Sequence, residues 1–200
     1  MKKILLSVLA ALALGASASA SLAAAVPANG KLAFDVIRKG RDIGDYTISF
    51  RSSGQALSVR LNTNVAVKLP LIGVKVYVFK QDSQERWQGG KLAGLTSTTN
   101  DNGEKHNISL GASPLLPASL WNSDIVHAHK VVNTIDGRTM AIKVQGLGSE
   151  TVKTGHGKKA ATHYRISGGL ARDLWYGADG TLVKVAFVGD DGSRVEYRLR

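Results

Sequence analysis

His127-Ala128-His129 is the pair whose type and spacing come nearest to chemistry. On a strand, residues i and i+2 project to the same face, so the two imidazoles could share a zinc ion with a third ligand from another strand. His106, His163 and Asp124 are available for that third position, while Lys130 beside the pair would repel a cation. Two ligands specify little, and two polar rings on a surface strand are the competing reading. Thr98 to Gly103 has the outline of a calcium loop, with Asn100, Asn102 and Gly103 at matching offsets. It lacks charge where the ion needs it, because Thr98 stands at position 1 and Ser109 at position 12, so a plain β-turn is expected. Asn107-Ile108-Ser109 matches a glycosylation acceptor but carries little weight without a known origin. Glu85 and Glu150 lie far apart in the chain and Asp173 sits beside Arg172, so no acid–base pair can be read from spacing. There is no G-x-S-x-G elbow, S-x-x-K, H-E-x-x-H or phosphate-binding glycine loop, and no cofactor is expected.

The aromatic residues carry the stronger lead. Trp87, Trp121 and Trp175-Tyr176 are large apolar groups with a polar handle, which suits the wall of a ligand cleft as well as a core. Alternation places Trp175 and Tyr176 on opposite faces of a strand. Gly111 to Asn122 holds Pro114, Pro117, Leu115, Leu116, Leu120 and Trp121, too proline-rich for a strand interior and too apolar for a solvated loop. It is a lid, a crossover or a plug, and a mobile gate over a cleft is the expectation taken here. The candidate ligand-binding residues are therefore Trp87, Leu115, Leu116, Leu120, Trp121 and Trp175, with His127 and His129 as metal candidates.

The elements that must position these residues are strands. Leu57, Val59, Leu61, Thr63, Val65 and Val67 alternate with Ser58, Arg60, Asn62, Asn64, Ala66 and Lys68, the pattern of a half-buried strand. Similar alternation occurs at 32–36, 46–50, 74–79, 85–87, 92–99 and 105–110, with Asn100-Asp101-Asn102-Gly103 as a hairpin signal. Further strands are expected at 125–133, 140–145, 162–167, 174–176, 182–188 and 193–199, punctuated by Asp136-Gly137, Asp179-Gly180 and Asp191-Gly192. No amphipathic helix of ten residues stands out. The expected fold is all-β, an antiparallel meander curled into a barrel or half-barrel with the proline-rich loop near 111–122. A second apolar connection, Leu69-Pro70-Leu71-Ile72, is unusual for a loop.

Residues 1–20 have the three parts of a secretory signal peptide: Lys2-Lys3, an apolar run from Ile4 to Leu14, and small residues ending at Ala18-Ser19-Ala20. An alternative end is Ala25, and a single β domain is expected over 31–200. Eleven apolar residues are too few to span a bilayer, which needs about 20. The 200-residue chain carries a net charge of +11; cleavage after Ala20 leaves 24 basic and 15 acidic side chains, or +9. That charge favours anionic surroundings such as lipid headgroups, whereas the scattered bases form no nucleic-acid stripe. Zero cysteines exclude disulfides, thiolate metal sites and a lipoprotein anchor.

Phe34 to Gly40 with Ile43-Gly44, Glu85-Arg86-Trp87 with Gly90-Lys91-Leu92, Ser119 to Asn122, Tyr164 with Gly168, and Asp173 to Gly180 together form a recognisable set. With Phe187 and Asp191-Gly192, they resemble a domain-of-unknown-function family of exported proteobacterial proteins. The resemblance implies an all-β fold and a Gram-negative periplasm, and supplies no activity. In layout the meander is more distantly similar to periplasmic lipoprotein-carrier and lipocalin-like barrels. The leading functional expectation is a non-enzymatic periplasmic protein that binds a lipid or anionic amphiphile in an apolar cleft. The next is a solid-cored structural module that docks an envelope protein, and the third a metal-dependent enzyme using His127 and His129.

Overall fold

The computed structural model describes residues 26–68 and 74–200, so the signal-peptide reading and the 69–72 connection lie outside the described residues. The first half is a run of long hairpins: β1 (Lys31–Arg38), β2 (Arg41–Ser53), β3 (Ala56–Lys68), β4 (Lys75–Gln88), β5 (Lys91–Asp101) and β6 (Glu104–Leu110). The second half comprises β7 (Leu116–Pro117), β8 (Lys130–Val132), β9 (Thr139–Thr154), β10 (Gly157–Gly168), β11 (Arg172–Tyr176), β12 (Leu182–Val188) and β13 (Arg194–Leu199). They form one sheet in the order β6-β5-β4-β3-β2-β1-β13-β12-β11-β10-β9-β8-β7. Chain neighbours pair antiparallel, except for the short parallel pair β7–β8. β1 also pairs with β13, with Val36 opposite Tyr197, so the two halves join through the first and last strands. β6 and β7 remain as free edges, and the sheet is curled but not closed, as the half-barrel form of the expected fold requires.

Strand alternation fills the concave side. Phe34, Val36, Ile48, Val59, Leu61, Leu174, Leu182 and Val185 are buried there. The turn at Asn100–Gly103 closes as its sequence requires: Asn102 and Gly103 take left-handed φ of 50° and 103°, and the Asn100 side-chain Oδ1 accepts from the Gly103 N–H at 2.8 Å. Gly44 marks a bulge in β1–β2 at φ 149°, where an added Cβ would lie 2.0 Å from the Asn64 carbonyl oxygen. Only glycine fits that approach.

The segment after β6 turns inward. Leu120 is 9% exposed and Trp121 fully buried, and the Trp121 ring stands edge-on to Phe50 and Trp87 at 5.3 and 5.4 Å. Tyr46 on β2 donates to the Ser119 carbonyl at 2.8 Å, and Tyr176 on β11 to the Leu120 carbonyl at 2.7 Å. Two walls of the half-barrel thus hold one stretch of backbone, while Leu120 itself adopts a φ of 67°. The segment is packed as a plug, in place of the expected gate: Leu120 and Trp121 enter the core, while Leu115 and Leu116 pack half-buried against it.

The strand expected over 125–133 is also revised. Ser123–His127 is a 3-10 turn capped by the Asn122 side chain, and only Lys130–Val132 pairs as a strand. The outer face carries a smaller cluster of Val152, Ala161, Trp175, Val183 and Ala186, covered by the long β9–β10 hairpin. Its tip reaches the end of β13, where Gly155 donates to the Leu199 carbonyl. Among the described residues no helix is long and apolar enough to cross a membrane.

Candidate functional site

Ser83, Glu85 and Trp87 alternate onto the inner face of β4, and that pattern delivers a carboxyl into the core. Glu85 is fully buried; its Oε2 accepts from the Trp87 and Trp121 indoles at 2.9 and 2.8 Å, and its Oε1 has no partner among the described residues. Burial pushes the Glu85 carboxyl above its ordinary pKa, against a downward pull from the Ser119 hydroxyl and the two indoles. Burial, aided by Glu85, also raises the Tyr46 phenol well above its ordinary range. The phenol stays a neutral donor, which is what its bond to Ser119 needs. The group is a locking device for the plug: it pins Trp121 to β4.

Beside this lock the plug does not fill the half-barrel. A cleft of about 270 Å³ remains between the concave sheet and the residues around 118–120 and 133–140. Its apolar wall includes Leu61, Phe79, Met140, Leu170 and Val185. Its polar lining includes Arg172, Tyr197, Arg138, Gln81, Asn133 and Thr134. The Arg172 guanidinium stacks 4.0 Å above the Phe187 ring, and its one hydrogen bond runs to the neighbouring Ala171 carbonyl at 2.7 Å. No carboxylate among the described residues pairs with it. Burial lowers the Arg172 pKa from its ordinary value, opposed by Tyr197, yet an arginine side chain stays charged. The Tyr197 phenol is raised by burial, with Arg172 pulling it back, and so remains protonated. A cation and a hydroxyl donor therefore flank the Phe187 ring in a cleft of mixed polar and apolar lining, an arrangement that accepts an anionic head and a short apolar body. Nearby, Arg138 is paired to Asp136 and Gln81 donates to the Thr134 carbonyl, which leaves Arg172 as the uncommitted charge of the cleft.

The sequence-predicted residues are dispersed over three places. Leu120 lines this cleft, whereas Trp87 and Trp121 lie in the packed core beside it. Leu115 and Leu116 line a separate surface groove of about 420 Å³, together with Asp124, His127 and His129. His127 ends the 3-10 turn and His129 follows it, so their spacing is not the i, i+2 alternation of a strand. Among the described residues, no group of three His, Cys, Asp or Glu side chains is placed to hold a metal ion. Trp175 lies on the outer face, stacked on His163 at 4.2 Å, with its indole donating to Glu150 and Lys184 4.8 Å above its ring. His163 also bonds Asp173 at 3.0 Å, and Arg165 holds the same carboxylate. Burial opposes these bonds, yet the Asp173 pKa falls below its ordinary value. Sequence reasoning missed Arg172 and Tyr197, which stand on different strands and carry no local motif.

These features define an all-β, half-barrel protein with an internal plug and, beside it, a cleft lined in part by Arg172 and Tyr197. The chain belongs to the family described as a domain of unknown function, DUF6134, whose model matches residues 34–200. No curated protein matches the sequence. In fold it is similar to the crystal structure of a beta-barrel-like protein of domain of unknown function DUF1849 from Brucella abortus. That match has a TM-score of 0.59 and 10% identity, covering 85% of this chain and 94% of the other.

Proposed function

We propose that this protein is a non-enzymatic binding protein of the bacterial periplasm. Its ligand is a small anionic amphiphile, lipid-like in character. The observation that carries the reading is Arg172, a half-buried cation in the cleft with no carboxylate to neutralise it among the described residues. A partly buried charge without a partner carries a desolvation cost, and a bound acid head would offset that cost through a charge-assisted, two-pronged hydrogen bond. The volume of about 270 Å³ suits a single short chain or a ring, because common ligand pockets span roughly 300–1,000 Å³. Export rests on residues 1–20, and a proteobacterial origin on the family resemblance; both are part of the proposal.

Titration with a medium-chain fatty acid, followed by calorimetry, tests the reading. Wild type should bind the acid and reject the matching alcohol, and Arg172→Met should lose at least tenfold in affinity, since hydrogen bonds to charged groups contribute about 1.5–3 kcal/mol. Equal binding of acid and alcohol, or no effect of Arg172→Met, contradicts it. The plug favours a second reading, a solid-cored envelope module that docks a protein. A reproducible cross-linked partner in cells, with no extractable amphiphile, would select that one.

A further inference from the structure

We infer that the outer end of the β3–β4 hairpin is a docking surface for an anionic phospholipid membrane. The β2–β3 ladder stops at Gly44 opposite Val65, and the β4–β5 ladder at Phe79 opposite Asp101. Beyond those points β3 and β4 continue together, with Ala66 opposite Val78, Val67 opposite Tyr77 and Lys68 opposite Lys75. The hairpin therefore leaves the sheet as a two-stranded ribbon with no described strand on either side. Ala66, Val67 and Val78 near its foot are half-buried, whereas further out large apolar side chains are exposed: Val74 is 53% exposed, Val76 48% and Tyr77 36%. The other exposed large hydrophobics, Leu147 and Val188, stand singly. Scattered apolar residues need no explanation, but three within four positions on a protruding ribbon form a patch.

Charge selects the partner. The described ribbon residues 66–68 and 74–78 include Lys68 and Lys75 and no acid. The two lysines face each other across the ladder, where like charges destabilise a strand pair. Asp101 stands at the foot of the ribbon, opposite Phe79, with its carboxylate against the Tyr77 hydroxyl, so the lysines carry the uncompensated charge further out. An anionic surface relieves the repulsion, whereas a second copy docked through the same patch would bring four of these lysines together. The side chains also suit the layers of a lipid interface: valines for the acyl boundary, a tyrosine at headgroup depth and lysines for the phosphates. Residues 69–73 lie outside the described structure, and the surface consists of Lys68 on β3, Lys75, Val76 and Tyr77 on β4, and Val74 just before β4.

The chain has no cysteine, so a single Val76→Cys label reports on the ribbon without interference. Gln55→Cys, at the opposite end of β3, is the control position. With vesicles of phosphatidylglycerol and phosphatidylethanolamine, an environment-sensitive label at 76 should shift to the blue and the label at 55 should not. Unlabelled protein should co-sediment with these vesicles and not with pure phosphatidylcholine. Lys68→Ala/Lys75→Ala should weaken this binding by roughly 25-fold, from about fivefold per lysine, and added salt should weaken it too. Val74→Asp/Val76→Asp should abolish it; the double alanine variant, which removes only exposed charge, keeps the test decisive should the aspartates unfold the ribbon. Arg172→Met should bind vesicles like wild type, so failure here is separable from failure of the cleft reading. A label at 76 that ignores vesicles, binding insensitive to salt and lysines, or a blue shift that follows self-association without lipid would each overturn the inference.

Discussion

Replacing Trp121 by alanine asks whether the plug is a fixed part of the fold or a movable gate. The ring is fully buried, packs edge-on against Phe50 and Trp87, and donates one of two hydrogen bonds to Glu85 Oε2. A buried Trp→Ala change costs about 3–5 kcal/mol through lost transfer energy and the residual cavity. The two aromatic contacts add about 0.5–1.5 kcal/mol each beyond area, which places the expected loss toward the upper end. Glu85 keeps its bond from Trp87, so removal of the indole donor adds little more than about 1 kcal/mol. For a chain of this size each kcal/mol lowers Tm by about 2–4 °C, so a fall of about 6–20 °C is expected. Urea unfolding followed by far-UV circular dichroism, with the denaturant slope unchanged, reads the free energy directly. Trp121→Phe, which keeps the packing and removes the donor, should lose only about 1 kcal/mol. A loss under about 1 kcal/mol for the alanine variant, coupled with faster ligand release, would refute the plug and restore a gate.

Glu85→Gln keeps the shape and removes the ionisation. Because burial raises the native pKa of Glu85, the folded state binds more protons than the unfolded one, and wild-type stability falls as pH rises from the ordinary carboxylate range through the raised value. The glutamine variant should lack that component and gain on wild type with rising pH; parallel stability–pH curves would count against it. Asp173 works in the opposite sense: its pKa is lowered on balance by His163 and Arg165, so its stabilisation is present above the ordinary aspartate value and lost as pH falls through the lowered one. Asp173→Asn should flatten that acid limb in urea unfolding at graded pH. Gly44→Ala places a Cβ 2.0 Å from the Asn64 carbonyl oxygen in a conformation that side chains avoid, and should cost about 1–3 kcal/mol or more; a neutral result would show that the bulge is free to relax.

The strands that the sequence made legible are those whose alternation is driven by one buried face. Leu57 through Val65 and the turn at Asn100–Gly103 are of this kind. The β9–β10 hairpin runs far beyond the expected 140–145 and 162–167, because its outer half buries only Val152, Thr154 and Ala161 among polar residues, against the outer face of the sheet. The segment 125–133 misled because a 3-10 turn and a short strand share its apolar content, with Ile125 buried in one and Val131 in the other. The carboxylate of Glu85 looked like a surface charge, since a single sequence does not reveal that Trp87 and Trp121 would converge on it from 2 and 36 residues away. Arg172 and Tyr197 were invisible as a pair for the same reason: they stand on strands either side of β12 and come together over Phe187, 25 residues apart in the chain.

The central claim is that the cleft holds an acidic amphiphile by Arg172. Native mass spectrometry of wild type and Arg172→Met, purified side by side from a periplasmic fraction without detergent, tests it most directly. Wild type should carry an adduct that releases an organic acid on extraction, and an equally stable Arg172→Met should lack it. Wild type without an adduct, or an adduct retained in both proteins, would contradict it.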